Sequence, residues 1–286
     1  MFCVIVPDSL PRKDMKMEKV KRFFKKHWMD VLVIAAVCVG LFFLCYNVYF
    51  RFNFAKKWNI FYDYFITNRG YKTLLTGFQN TLWIAVIGLL IGCVIGTLIA
   101  IVKVIPPYKK LTRYAQNVCN VYVAFFRGTP IVVQLLLGYY ILLPLMGVTL
   151  PAVTSCVLIF GLNSGAYISE IMRGGINSVD AGQLEAARAV GLPFSTSMIK
   201  VVVPQAIKNI LPTMGNEFIT LIKETAIVGY VGAVDITKAF RDQGSNSYEF
   251  MIPYLIMALI YIVLVAIIAS LVKLMERRLA SNERRK

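Results

Sequence analysis

Histidine occurs once in the 286 residues, at His27 beside Lys25, Lys26 and Trp28, and a lone histidine builds neither a zinc centre nor a catalytic triad. The six cysteines (Cys3, Cys38, Cys45, Cys93, Cys119 and Cys156) are far apart, form no CxxC pair and lie mostly in apolar runs. They read as small hydrophobes, not as disulfide or metal partners. Charge is scarce at 16%, and acidic residues number 15 against 31 Lys and Arg. The surplus of +16 sits between long apolar stretches, which points to a membrane surface and away from nucleic acid. A G-x-x-x-x-G-K-[ST] phosphate loop is also missing, which excludes nucleotide hydrolysis by that device. What is plentiful is apolar surface: 58% hydrophobic and 13% aromatic residues, with a mean hydropathy of +0.65. That composition belongs to an all-α integral membrane protein.

About 20 mostly apolar residues cross a bilayer core. Val31 to Phe50 and Phe250 to Val272 each fit one span, and Thr73 to Val102 holds another, roughly Gly77 to Val102. Val31 to Phe50 reads as a span and not a signal peptide, because no small-residue cleavage site follows it. The uncharged stretch from Arg127 to Glu170 is too long for one crossing and breaks at Pro144, Gly147 and Pro151, so two helices are expected there. Asn209 to Val234 is a sixth span carrying Glu217, Lys223 and Glu224, hence facing protein or water. Six spans put both termini on one side. The segments on that side hold 23 Lys and Arg against 7 opposite, which predicts cytoplasmic termini.

Gly88, Gly92, Gly96 and Ala100 recur every four residues and predict close helix packing, within the subunit or across a dimer face. Residues 173–208 form the least membrane-like middle segment. Asp180 is placed to cap a helix with Gln183 at N3, Leu184, Ala187 and Val190 form its apolar face, and Gly191 ends it. A second short helix runs through Met198 and Val201 to Pro204. Two short helices in a bend make either a docking knob or a surface connector.

Within this loop Glu185-Ala186-Ala187, three residues, Gly191, nine residues and Val201-Val202-Val203-Pro204 resemble the EAA loop of ABC-importer membrane subunits. The pattern there ends I-x-L-P, so this chain departs at Val201 and Val203. Phe126-Arg127-Gly128-Thr129-Pro130, Gly165 to Ile176, Gly182-Gln183 and Lys223-Glu224-Thr225 narrow the likeness to the polar amino-acid uptake branch. It covers about residues 72–279.

The resemblance implies a permease subunit, a transport component and not an enzyme, in the bacterial cytoplasmic membrane. It implies a five-span core at 72–279 with its coupling loop at 173–208. An extra N-terminal span at 31–50, an external linker at 51–71 and basic cytoplasmic tails at 1–30 and 280–286 lie outside that core. The implied partners are cytoplasmic ABC ATPase subunits, a second copy of this chain or a related permease, an external substrate-binding protein, the amino acid and the lipid bilayer. No cofactor is expected on this chain, ATP and Mg being used by the ATPase. Gly182, Gln183, Glu185, Ala186, Ala187, Gly191 and Pro204 are then the coupling residues.

Polar groups at membrane depth are candidates for the substrate path. Asn163 and Glu170 are seven residues apart on one helix face, with Ser164 between them; Glu217 and Glu224 repeat that spacing around Thr220. Two acidic stripes suit an α-amino group or a cationic side chain. The competing reading pairs Glu170 with Arg173, and Glu224 with Lys223 or another subunit. An ion-gradient-driven secondary amino-acid transporter is the alternative function, but it predicts no EAA-type loop.

Overall fold

A backbone in hydrocarbon must satisfy its N–H and C=O groups within its own segment, so long uncharged runs fold as helices. The computed structural model describes residues 29–30, 32–47 and 53–283, and all regular structure among them is helical. The N-terminal basic tail before residue 29, with Cys3 and His27, and residues 284–286 lie outside the described residues. Residues 1–59 and 60–286 form two units. The first contains α1 (Leu32–Asn47), apolar and exposed along its length. Residues 51–71, the segment expected as an external linker, contain α2 (Phe54–Ile66), an amphipathic helix that buries Phe61 and exposes Trp58 and Tyr62. Aromatic residues beside Lys56 and Lys57 are the composition of a membrane interface.

The second unit is built on α3 (Gly70–Val104) packed along α7 (Ala152–Asn177). The glycine stripe makes this contact. Gly88 meets Phe160 and Gly161, Gly92 meets Ser164 and Gly165, and Gly96 meets Ile168 and Ser169. A Cβ at Gly92 would stand 2.8 Å from Ser164 Cβ, and one at Gly96 would stand 2.7 Å from Ile168 Cγ2. No ordinary Cβ fits at such separations. Two helices thus advance four residues at a time in step, as expected for small-residue packing within one subunit. Beside them Ile84, Leu135, Cys156, Phe160, Leu221, Ile222 and Val228 form the main apolar core.

Residues 103–127, read from sequence as a loop, contain a full helix, α4 (Lys110–Gly128). Its charges crowd the first turn and the last, while Cys119, Tyr122, Val123 and Phe126 carry the packed apolar face, so charge counting hid it. After Pro130 the chain turns through 106° into α5 (Ile131–Leu137), a π-turn at Gly138–Leu142 and α6 (Leu143–Leu145). Beyond α7 come two short helices, α8 (Ala181–Ala189) and α9 (Phe194–Ser197), then a π-turn at Met198–Val202 and α10 (Val203–Glu224). Pro204 therefore lies inside a helical path where a break was expected. Val203 N closes the wide turn onto Met198 O, and Pro204, having no N–H, follows where the regular ladder is already interrupted.

Where a sixth span is expected at 209–234, the helix starts earlier, at Val203, tightens into a 3-10 helix at Thr225–Val231 that ends at Gly232, φ +84°, and is not among the helices long and apolar enough to cross a membrane. Next come α11 (Ile236–Ser247), capped by Asp235, and α12 (Met251–Glu283). Among the described residues three helices are long and apolar enough to cross a membrane: α3, α7 and α12 over Met251–Arg278. A fourth span follows if α4 and α5–α6 count as one. Of the five cysteines in the described residues all are free, Cys156 buried and Cys38 and Cys45 exposed.

Candidate coupling loop and membrane-depth polar site

Asp180 caps α8 as its sequence position suggests: its Oδ1 accepts from Gly182 N at 2.7 Å, and its carbonyl accepts from Gln183 N at 3.0 Å. Gln183 does not complete a reciprocal box, since its Oε1 accepts from Gln205 Nε2 at 3.4 Å and so ties α8 to α10. At the other end Gly191 N donates to Arg188 O at 3.0 Å and Leu192 N to Ala187 O at 3.2 Å. These are the paired bonds of a Schellman ending, with Gly191 at φ +88° as its left-handed residue. Open space surrounds the position a Cβ would take, so the glycine is required by its backbone angle and not by crowding.

The capped helix presents Glu185 and Ala186 to the outside and buries Ala187. Leu184 also turns inward, but Val190, expected on the same face, is 78% exposed because α8 has already ended there. Gly182 and Gln183 are exposed beside Glu185, whereas Pro204 lies in the adjoining helix.

The acidic stripes part company. Ser164 and Glu217 come together, the buried hydroxyl donating to Glu217 Oε1 at 3.4 Å, so α7 and α10 share a polar contact between helices. Thr220 donates to Asn216 O of its own helix at 3.1 Å. Glu224, half-buried, follows two turns beyond Glu217. Glu170 points elsewhere: it accepts from Lys103 Nζ of α3 at 2.6 Å and from Arg173 at 2.7 Å, and lies 3.8 Å from Arg127 of α4. Arg127 also covers the ring of Tyr167 at 5.5 Å.

Asn163, 3% exposed, donates to Gln134 Oε1 at 2.8 Å and to Phe126 O at 3.4 Å. Gln134 was not visible as a site residue from sequence, although a single amide in the run from Ile131 to Leu143 was the available signal. Lys103 was likewise counted only as a loop charge. A third missed residue is Asp235, wholly buried, which accepts from Thr237 N and Lys238 N at 2.9 Å while Asn80 of α3 donates to the neighbouring Val234 O at 2.8 Å.

Among the described residues the regular structure is all helical, with several helices apolar enough to cross a membrane and a capped, outward-facing helix between α7 and α10, which is the architecture of an integral membrane protein. The chain belongs to the family described as binding-protein-dependent transport system inner membrane component, matched over residues 92–281. It is 40% identical to the arginine transport system permease protein ArtQ of Bacillus subtilis over 210 residues, 73% of this chain and 94% of that protein. A Rickettsia conorii protein named for glutamine transport, GlnP, is 37% identical over 73% of this chain and 94% of its own length. Among solved structures, a crystal structure of an amino acid ABC transporter with histidines matches with a TM-score of 0.69 at 39% identity, over 76% of this chain and 98% of that one. The inward-facing MetNI methionine ABC transporter shares the fold, with a TM-score of 0.62 at 21% identity over 72% and 96% of the two chains. The protein is thus the membrane-spanning subunit of an ABC importer, whose ATP hydrolysis belongs to a separate subunit.

Proposed function

We propose that this permease carries polar amino acids, with a preference for cationic ones, across the bacterial cytoplasmic membrane by alternating access. Six spans with both termini in the cytoplasm fit the distribution of Lys and Arg. In this reading residues 72–279 are the transport domain, residues 31–50 are an added anchoring span, and the tails at 1–30 and 280–286 are cytoplasmic. The permease works with a second copy of itself or a related subunit, with cytoplasmic ATPases that use ATP and Mg, and with an external binding protein.

The observation that carries the coupling reading is α8: a helix fixed at one end by Asp180 and at the other by Gly191, with Glu185 and Ala186 facing outward. A short element held rigidly at both ends passes a push to α7 and α10 without absorbing it. Gly182, Gln183, Glu185, Ala186, Ala187, Gly191 and Pro204 form or support this docking element. The path is assigned to Asn163, Ser164, Glu170, Glu217, Thr220 and Glu224. The Ser164–Glu217 contact supports its centre, whereas Glu170, already paired with Lys103 and Arg173, fits the competing reading in which it holds helices together.

The test is a mild-detergent pull-down of the tagged chain from its native membrane beside a double variant, Glu185→Lys with Gly191→Asp. Mass spectrometry should find an ATPase with the native chain and lose it with the variant. Equal ATPase recovery from both would refute the coupling assignment.

A further inference from the structure

The turn between α4 and α5 falls at Gly128, Thr129 and Pro130, beside Asn163. Asn163 is the twelfth residue of the 26-residue α7, about 17 Å along it, so the break lies near the middle of the span. Water is scarce at that depth, and every free backbone group there needs a protein partner. Phe126 O is one such group by necessity, because its helical donor would be the N–H of residue 130, which is proline. Gln134 supplies the nearer replacement, with Asn163 Nδ2 as a longer second donor at 3.4 Å. Its Nε2 lies 2.8 Å from Phe126 O, 3.0 Å from Thr129 O and 2.8 Å from Thr129 Oγ1, while its Oε1 accepts from Asn163. The side chain is 5% exposed.

We infer that Gln134 is a positioning residue for transport: it pins the break at a fixed angle, so that α4 and α5–α6 move as one bent lever and not about a hinge. A hinge in a membrane needs carbonyls that can exchange partners as the angle changes. Here one amide, itself held by Asn163 from α7, closes both sides of the break at once. The lever connects the inner end of α4 to α5, which packs on α7 and on the 3-10 helix after α10. A fixed angle would carry displacement from the inner end directly into the outer half of the pathway.

The test uses the complete importer in lipid nanodiscs, with genetically encoded spin labels at Tyr114 on α4 and Leu145 on α6, positions 69% and 78% exposed. The angle reading does not depend on what is transported. In importers carrying a single labelled permease copy, the native protein should give one narrow distance, unchanged between nucleotide-free and ATP-trapped states. Gln134→Leu should broaden it, and in proteoliposomes should lower maximal uptake by about tenfold or more while KM stays within about twofold. Gln134→Glu keeps the length and the acceptor for Asn163, and should fall between the two; if the Leu variant fails to assemble, the same readings on the Glu variant decide. A native distance that changes with nucleotide, or a Gln134 variant with native distance and turnover, overturns the inference. Loss of amino-acid uptake in the native importer with the distance result intact would sink the substrate reading alone.

Discussion

Lys103 Nζ lies 2.6 Å from Glu170 Oε1, joining the last turn of α3 to the C-terminal half of α7 at a point where both side chains are largely shielded. Arg173 holds the other carboxylate oxygen at 2.7 Å, and Arg127 adds a third cation from α4. One carboxylate thus gathers three helices immediately before the coupling loop. Glu170→Gln removes the anion and leaves three cations close together, so it should destabilise the subunit by about 2 kcal/mol, the range for hydrogen bonds to charged groups. Thermal unfolding in detergent would show this. The exchange variant Lys103→Glu with Glu170→Lys should recover less than half of the loss, because the inverted pair sets a new ammonium group beside Arg173 and Arg127. Full recovery would mean that only the α3–α7 pair matters.

The backbone angle at Gly191 gives a sharper test of the coupling loop. At φ +88° the left-handed conformation costs a residue with a Cβ about 1–2 kcal/mol, and asparagine tolerates it best among such residues. Gly191→Asn should therefore keep most of the uptake, while Gly191→Val should lose it with membrane insertion intact. Gly191→Asp adds a negative charge to the same geometry and should uncouple ATP hydrolysis from uptake. If the Asn and Val variants are equally impaired, the partner's surface and not the backbone angle sets the requirement.

Much of the coupling loop was legible because its signals are local. A capping aspartate, a helix-ending glycine and the residues between them lie within a dozen positions, and their geometry follows from backbone chemistry. The glycine stripe was legible for a similar reason, since a four-residue repeat specifies one helix face. Other features depended on distant partners. Glu170 had a cation three residues away in sequence, but Lys103 and Arg127 reached it only through the packing of α3 and α4. Gln134 was a lone amide in an apolar run until the bend at Pro130 freed a carbonyl for it. In α4 the charges cluster at the ends, so a count over the segment resembled a loop although the middle is a helix face. Pro204 shows the limit of a local rule: a proline that commonly stops a helix sits here just after a π-turn, where a ladder bond was already displaced.

Packing between α3 and α7 should respond to single methyl groups. A Cβ at Gly96 would press on Ile168 and on the backbone nitrogen of Ser169, at 2.7 and 2.9 Å, whereas a Cβ at Gly128 meets open space. Overpacking a tight contact costs about 1–3 kcal/mol, so Gly96→Ala should lower the unfolding temperature clearly. Gly128→Ala should leave it nearly unchanged. Equal effects would mean that the two helices separate readily and that the close approach contributes little.

The Ser164–Glu217 contact separates a substrate contact from a merely structural acid. In a Glu217→Gln variant the amide carbonyl oxygen would still accept from the Ser164 hydroxyl, so the substitution preserves the link between α7 and α10 while removing the negative charge. If the charge meets a cationic amino acid in transit, uptake of arginine or lysine should fall about tenfold while that of glutamine changes little, a difference of about 1.4 kcal/mol in the transport barrier. Thr213→Val is the comparison within the same helix, because the Thr213 hydroxyl, outside the assigned path, donates to Asn209 O and its loss should alter uptake of neither class. A uniform fall for all amino acids in the Gln variant would assign Glu217 to the movement of the helices. Unchanged arginine uptake would remove it from the path.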